Sequence, residues 1–134
     1  MAPAVGPPPV NVERLRLIQD LISRFAGNSF LLKGWTVTLV AGLSAFSRAG
    51  SDRSFAWIAV FVVVTFGLMD AYYLALERRY RRLYDEASTN LGDSWSLTVG
   101  ALTLKEVFTA LRSPPIWMLH GSALLVAALV GMLP

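Results

Sequence analysis

The sequence predicts an all-α membrane protein: a transmembrane helical hairpin whose second helix extends into the cytosol, followed by a third, C-terminal span. Three observations support this fold class. Hydrophobic residues make up 54% of the 134-residue chain, and the mean hydropathy is +0.52. The apolar residues are concentrated in three runs, near 30–47, 54–76 and 115–133, and most basic residues flank one side of them. Such runs are typical of spans, and a soluble bundle of unusually apolar helices is the alternative.

The N-terminal residues 1–10 are rich in Pro and Ala and lack the pattern of a signal peptide, so we expect a disordered tail. Residues 11–27 predict a short amphipathic helix, with Asn11 as its cap and Gly27 as its stop. Its apolar side consists of Leu15, Ile18, Leu21, Ile22 and Phe25. This side would either lie in the membrane interface or pack against the protruding part of the second span.

The segment 28–86 predicts the transmembrane hairpin with its extension. The first span runs from Phe30 to Ser47, after a cap at residues 28 and 29. A tight turn leads into the second span, which begins at Ser54 and reaches about Leu76. A hydrocarbon core about 30 Å thick needs roughly 20 apolar residues, which the second span provides. Because the turn is short, the two spans are expected to be antiparallel neighbours.

Beyond its apolar part, the second helix is expected to continue into the cytosol as far as residue 86. Charged pairs at i,i+4 spacing, Glu77 with Arg81 and Arg82 with Glu86, would support it on the solvated side. Another side of this extension carries an aromatic and aliphatic stripe: Tyr73, Leu76, Tyr80, Leu83 and Tyr84. Such a stripe needs a partner, which either the N-terminal helix or a second copy of the chain would supply.

The segment 87–114 predicts a cytosolic linker that contains one short helix. Residues 94–99 alternate polar and apolar, which weakly indicates an extended segment or a short strand. Thr103 and Glu106 form a capping box that would open a helix ending near Arg112. A third transmembrane helix is then predicted over residues 115–134. Its length of about 18 apolar residues is at the short end of what crosses a bilayer, so a re-entrant or interfacial placement is the alternative.

The distribution of basic residues predicts the orientation of the chain in the membrane. The turn between the first two spans carries only Arg48 and Arg53. The opposite side carries Arg14, Arg16, Arg24, Arg78, Arg79, Arg81, Arg82, Lys105 and Arg112. Because basic residues accumulate on the cytoplasmic side, the N-terminus and residues 77–114 are expected in the cytoplasm, with the C-terminus outside.

Two opposite charges lie inside the predicted spans, Lys33 in the first and Asp70 in the second. Measured from the outer ends of their helices, they lie about 21 Å and about 24 Å deep. Each would cost about 3 kcal/mol if unpaired near the bilayer centre, and pairing relieves both. His120, the only histidine, falls in the same layer. We favour an ion pair that locks the hairpin, with His120 nearby by accident; a proton or ion relay of all three residues is the alternative.

Small residues recur at a spacing of four on two of the predicted spans. They are Gly34, Thr38 and Gly42 on the first, and Ala123, Ala127 and Gly131 on the third. Small residues at this spacing allow helix backbones to approach closely in lipid. Because a bundle of three helices has limited room for both faces inside it, we expect the chain to form a homo-oligomer.

Composition and motifs exclude several classes of function. The chain has no cysteine, so it has no disulfide, thiolate nucleophile or zinc–thiolate site. Phosphate-binding, dinucleotide-binding, zinc-protease and serine-hydrolase motifs do not occur, and we expect no catalytic activity, cofactor or metal. One cluster of arginines follows the second span: Arg78, Arg79, Arg81 and Arg82. Its expected role is contact with anionic lipid headgroups or another anion, and not nucleic-acid binding.

Two stretches resemble a known family. Residues 24–35 read R-F-A-G-N-S-F-L-L-K-G-W, and residues 70–84 read D-A-Y-Y-L-A-L-E-R-R-Y-R-R-L-Y. They are similar to the N-S-F-x-L-K-G-W and D-x-Y-Y-L-x-x-E-R-x-x-R-x-L-Y stretches of a family of small, uncharacterised bacterial inner-membrane proteins. The resemblance covers about residues 15–86, departs from the pattern in a second arginine at Arg79, and is loose from Ser88 onward. It implies a location in the bacterial inner membrane and no particular activity.

The expected function is that of a self-associating integral membrane protein without catalytic activity. In architecture the chain is similar to the two-helix membrane effectors of bacterial phage-defence operons, which is an analogy of architecture only. On this interpretation the chain acts on the membrane when an unidentified cytosolic partner or ligand engages residues 77–114. The alternative is a small ion- or proton-conducting pore that uses Lys33, Asp70 and His120.

Overall fold

The structure, a computed structural model, describes residues 12–50, 52–89 and 96–132. Those residues form four helices and no strand, so the predicted all-α class is confirmed for them. The helices are α1 (Val12–Gly50), α2 (Ser54–Thr89), α3 (Leu104–Leu111) and α4 (Pro114–Met132). As predicted, three of them, α1, α2 and α4, are long and apolar enough to cross a membrane.

Helices α1 and α2 pack side by side in opposite directions. Near the connection between them, the rings of Phe46 and Phe55 lie 6.0 Å apart. Far from it, the ring of Phe25 lies 5.3 Å from that of Tyr80. In the connection, the carboxylate of Asp52 accepts a hydrogen bond of 2.9 Å from the backbone N–H of Ser54, which begins α2. The predicted antiparallel helical hairpin is therefore present.

The helix break predicted at Gly27 is wrong, because α1 continues through Gly27 and through the cap predicted at residues 28 and 29. The reason is tertiary packing. Ile18 and Ile22 are buried, and Phe25 contacts two tyrosines of α2, so the first part of α1 is fixed against the extension of α2. A glycine in a helix costs only about 1 kcal/mol. Burial of the Ile18 and Ile22 side chains stabilises the continuous helix by more than that.

The N-terminal amphipathic segment is thus part of the first long helix. Of the two interpretations of its apolar side, the structure shows packing against α2, and the separate interfacial helix over 11–27 is wrong. The stripe on the extension of α2 has this segment as its partner. The tail predicted over residues 1–10 and the cap predicted at Asn11 lie outside the described residues.

The C-terminal third follows the predicted order of elements. Helix α2 ends at Thr89, a few residues beyond the predicted 86. Residues 96–103 are neither helix nor strand, and the start of the predicted extended segment, at 94 and 95, lies outside the described part of the chain. The capping box is confirmed: Thr103 accepts a hydrogen bond from the N–H of Glu106, whose side chain accepts one from the N–H of Thr103.

Helix α4 begins at Pro114, directly after the two residues that follow α3. Proline suits the first turn of a helix because its missing N–H has no intrahelical partner there. With 19 residues, α4 is about 28 Å long. The last predicted residues of the third span, 133 and 134, lie outside the described ranges.

Two small apolar cores hold the helices together. One joins the three long helices through Val40, Ala59, Val63 and Ala127. The other joins α2 to α3 and α4 through Ala71, Ala75, Ala110 and Ile116. Alanine supplies two of the four residues of the first core and three of the four of the second, and its small side chain lets helix axes approach closely. Large apolar side chains accordingly face outward, as Phe61 (69% exposed) and Leu125 (61% exposed) do.

Candidate functional site: a polar cluster that joins three helices

Side chains from α1, α2 and α4 meet at Asp70, whose side chain is fully buried. The Nζ atom of Lys33 lies 2.6 Å from Oδ2 and 2.8 Å from Oδ1 of Asp70. The hydroxyl of Ser29 donates a hydrogen bond to Oδ1. From α4, the Nε2 atom of His120 lies 3.0 Å from Oδ2. We call these four residues, Ser29, Lys33, Asp70 and His120, the polar cluster.

Helix geometry explains why these side chains meet. Ser29 and Lys33 are four residues apart, so they lie on the same side of α1, and the Lys33 ammonium also donates to the Ser29 hydroxyl at 2.7 Å. Gly67 lies about one turn before Asp70 on α2 and makes room for the ring of His120. A Cβ atom at Gly67 would lie 3.4 Å from His120 Cγ. A Cβ alone would be in ordinary contact with the ring, so the close approach of α4 leaves no room at this position for a larger side chain.

The carboxylate of Asp70 is saturated with hydrogen bonds. Its Oδ1 accepts from Ser29 and Lys33, and its Oδ2 contacts Lys33 and His120. Because a carboxylate only accepts, Nε2 of His120 must carry the proton in this contact. The other ring nitrogen, Nδ1, is buried and has no hydrogen-bond partner among the described residues. The cluster neutralises one acid and one base inside an apolar bundle.

Lys33, Asp70 and His120 are the three side chains predicted to lie at similar depth in the membrane. The structure brings all three together, with Lys33 and His120 both in contact with Asp70. The interpretation of His120 as a bystander is wrong, since its ring contacts Asp70 directly and is only 6% exposed. Sequence reasoning missed Ser29, which was assigned to a cap, and Gly67. Ser29 could have been identified from its position one turn before Lys33. Gly67 could have been identified as the only glycine within the second span.

The two stripes of small residues have different environments. On α4, Ala127 is in the core and Ala123 packs against it, while a Cβ at Gly131 would lie 3.3 Å from Cβ of Ala56. That stripe therefore packs within the chain. On α1, a Cβ at Gly34 or Gly42 would meet nothing within 4 Å, and Thr38 is exposed with its hydroxyl donating to the Gly34 carbonyl. The α1 stripe has no packing partner among the described residues.

The arginines that follow the apolar part of α2 have separate partners. The guanidinium of Arg79 binds both carboxylate oxygens of Glu106, with Nε–Oε1 at 2.9 Å and Nη2–Oε2 at 2.7 Å, and it also donates to the carbonyl of Gly100. Arg82 contacts Glu106 at 3.0 Å, where the sequence had suggested Glu86. The predicted pair of Arg81 with Glu77 forms at 2.7 Å.

The guanidinium of Arg79 is thus occupied by α3 and by the segment before it. Its assignment to lipid or anion contact stays a prediction. The hydrogen bonds from Arg79, followed by those from the Thr103 backbone and hydroxyl, hold the pKa of Glu106 well below its ordinary value. In return, the hydrogen bond to Glu106 raises the pKa of Arg79. The bidentate pair fastens α3 to α2.

Metal binding has no candidate group here. Within residues 12–50, 52–89 and 96–132, no three His, Asp or Glu side chains are close enough together to hold an ion. Comparison of the chain with models of protein families, with curated proteins and with solved structures finds no match.

Proposed function

We propose that the chain is a non-catalytic integral protein of the bacterial inner membrane, with its N-terminus in the cytoplasm and its C-terminus outside. In this proposal it self-associates and acts on the membrane under the control of its cytosolic end. The observation that carries the proposal is the polar cluster. It joins three helices that could each cross a bilayer, and it neutralises the buried charge of Asp70 with Lys33.

The outer surface of the bundle supports the membrane placement. Phe61 and Leu125 are well exposed, as are Leu68 and Met118 at 50% and 61%. Apolar exposure on this scale is unfavourable in water and matches the hydrocarbon of a bilayer. The basic residues of α2 and α3 lie together at the opposite end from the connection between α1 and α2, as the proposed orientation requires.

A physical route from the cytosolic end to the polar cluster supports the proposed control. Helix α3 is fastened to α2 by Arg79 and Glu106, and only residues 112 and 113 separate α3 from α4. A ligand that displaced α3 would therefore pull on the start of α4. Because α4 carries His120, that movement would change how α4 packs against Asp70. Displacement of α3 at the cytosolic end would in this way alter the contact of His120 with Asp70 inside the bundle.

The self-association proposal rests on the α1 stripe, which has no packing partner among the described residues. We expect energy transfer between differently labelled copies in liposomes, and we expect Gly34→Leu with Gly42→Leu to weaken it by blocking close approach. Val126→Phe on α4, where the native side chain is 48% exposed, is the matched control and should leave energy transfer unchanged. A wild-type chain that stays monomeric in the bilayer would remove self-association from the proposal.

The effector proposal is tested by the membrane potential of expressing cells. Induced expression of the wild-type chain should depolarise the cells. The variant Gly34→Leu with Gly42→Leu, present in the membrane in the same amount, should depolarise them less. Wild-type expression that leaves the potential unchanged would contradict an action on the membrane.

The second candidate, a proton-conducting pore, is favoured by one observation. Lys33, Asp70 and His120 form a continuous hydrogen-bonded chain across three helices. His120→Gln separates the two functions, because the Gln amide can still donate to Asp70 but cannot exchange a proton near neutral pH. If the wild-type chain conducts protons into liposomes and His120→Gln abolishes this flux, the pore is supported. If the flux survives both His120→Gln and the double variant Asp70→Asn with Lys33→Met, the relay is excluded.

A further inference from the structure

We propose that the cavity between α2 and α3 binds the headgroup of an anionic phospholipid. We call it the headgroup cavity. It has a volume of about 430 Å³, and the buried Ala75 of α2 is one of its lining residues. Its walls carry four basic side chains: Arg78, Arg81 and Arg82 from α2, and Lys105 from α3. A phosphodiester is the anion that such a group of guanidinium and ammonium donors recognises.

The charge of the headgroup cavity is positive after its internal ion pairs are counted. Glu106 is the acid in its wall, and Arg79 and Arg82 bind it. Arg81 pairs with Glu77. Arg78 and Lys105 are both exposed and form no ion pair within the described residues. Two positive charges are therefore available to a ligand at this site.

The position of the headgroup cavity along α2 matches the depth of lipid phosphates in the proposed orientation. Arg78 lies eight residues beyond Asp70, which is about 12 Å along the helix axis. The apolar part of α2 ends between these two residues. The cavity thus opens at the cytoplasmic edge of the hydrocarbon, where the headgroups begin.

The outer face of α3 distinguishes a lipid from a soluble anion. Leu104 and Phe108, four residues apart on the same side of α3, are 81% and 64% exposed. They lie next in sequence to Lys105 and Thr109 of the cavity wall. An apolar pair beside basic side chains is the pattern of a helix that lies in the membrane interface. It would place Leu104 and Phe108 among acyl chains while Arg78 and Lys105 bind the phosphate.

This inference rests on the proposed membrane placement, and its test is independent of self-association and depolarisation. The full chain in a neutral detergent is titrated with phosphatidylglycerol or with phosphatidylcholine of the same acyl chains, and bound lipid is counted by native mass spectrometry. We expect preferential retention of phosphatidylglycerol. Arg78→Gln with Lys105→Gln should weaken its binding by about fivefold for each charge removed.

The matched control is Arg16→Gln with Arg24→Gln, which removes the same charge from exposed positions of α1 outside the cavity. It should leave retention unchanged. Equal losses in both double variants, or equal retention of the two lipids by the wild-type chain, would overturn the proposal. Because Arg78 and Lys105 form no ion pairs among the described residues, circular dichroism should show their variant folded.

A second arm separates the lipid from free anion. Glycerol phosphate added in solution should displace phosphatidylglycerol poorly, because it has no acyl chains for Leu104 and Phe108 to contact. Leu104→Ser with Phe108→Ser should weaken the binding of phosphatidylglycerol. Efficient displacement by glycerol phosphate, or lipid binding unaffected by the two serines, would show that the cavity takes a soluble anion and would overturn the lipid assignment.

Discussion

The Nε2 atom of His120 lies 3.0 Å from Oδ2 of Asp70, at the same carboxylate that Lys33 and Ser29 contact from the other side. One buried acid therefore connects the first and last long helices through the second. In a bundle whose apolar cores consist largely of alanine, such a directional contact specifies how the helices are rotated about their axes.

The ion pair of Lys33 with Asp70 should show strong energetic coupling. Asp70→Asn leaves the Lys33 ammonium without its counter-ion and should destabilise the bundle by about 3 kcal/mol. Lys33→Met should also destabilise it, since Asp70 then keeps only Ser29 and His120. The double variant should be more stable than the sum of the two single effects, because it buries no unpaired charge. Thermal unfolding in detergent measures all four proteins, and strictly additive effects would show that the pair is not coupled.

The contact between α4 and α2 should depend on a small residue at position 67. A Cβ there lies 3.4 Å from His120 Cγ, which is an ordinary contact distance, so Gly67→Ala should change stability little. Gly67→Leu should displace the His120 ring from Asp70 and destabilise the bundle by about 1–3 kcal/mol.

Gly34→Leu is the matched control for this experiment, because a Cβ at Gly34 meets nothing within 4 Å. Measured on monomers in detergent, Gly34→Leu should have the same melting temperature as the wild-type chain. A Gly67→Leu variant as stable as Gly34→Leu would be inconsistent with the close approach of α4.

The attachment of α3 to α2 should weaken in acid. Hydrogen bonds from Arg79 hold the folded-state pKa of Glu106 below its ordinary value, so the ionised form stabilises the folded state. That stabilisation is complete above the unfolded-state pKa of a glutamate, about 4.3, and is lost as the pH falls from there toward the lower folded-state pKa. Hydrogen-exchange protection of the α3 amides should therefore fall in this range. Glu106→Gln should show the reduced protection already at neutral pH, and equal protection of both proteins there would contradict the prediction.

The start of α2 and the end of α4 should be close enough for a disulfide. A Cβ at Gly131 lies 3.3 Å from Cβ of Ala56, near the separation of about 3.5–4.5 Å found in disulfides. Ala56→Cys with Gly131→Cys should therefore form an intrachain cross-link on oxidation, seen as a change in gel mobility that reductant reverses. The natural chain has no cysteine to compete. Phe61→Cys with Gly131→Cys is the control, because Phe61 faces away from the bundle, and an equal cross-link there would indicate a different packing of α4.

Several features could be predicted from local properties of the chain. The apolar lengths predicted three helices able to span a membrane, and the structure confirms them. The capping box at Thr103 located the start of α3, and α4 begins at Pro114, one residue before the start predicted for the third span. Equal depth in their helices placed Lys33 and Asp70 in one layer, where they are in contact. Each of these features depends on residues near one another in sequence or on a distance along one helix.

Other features depended on which faces of the helices meet. Local patterns in the sequence do not predict how each helix is rotated about its own axis. The amphipathic segment around Gly27 carried the signals of a helix end, yet α1 continues because Phe25 and its neighbours pack against the extension of α2. The direct contact of His120 with Asp70 depends on the small residue Gly67, which lies against the ring. Likewise, the sequence pairs Arg82 with Glu86 of its own helix, but α3 presents Glu106, which both Arg82 and Arg79 bind. Local patterns therefore establish where helices begin and how long they are, whereas packing selects the partner of each polar side chain, because a buried charge takes the nearest group that can satisfy it.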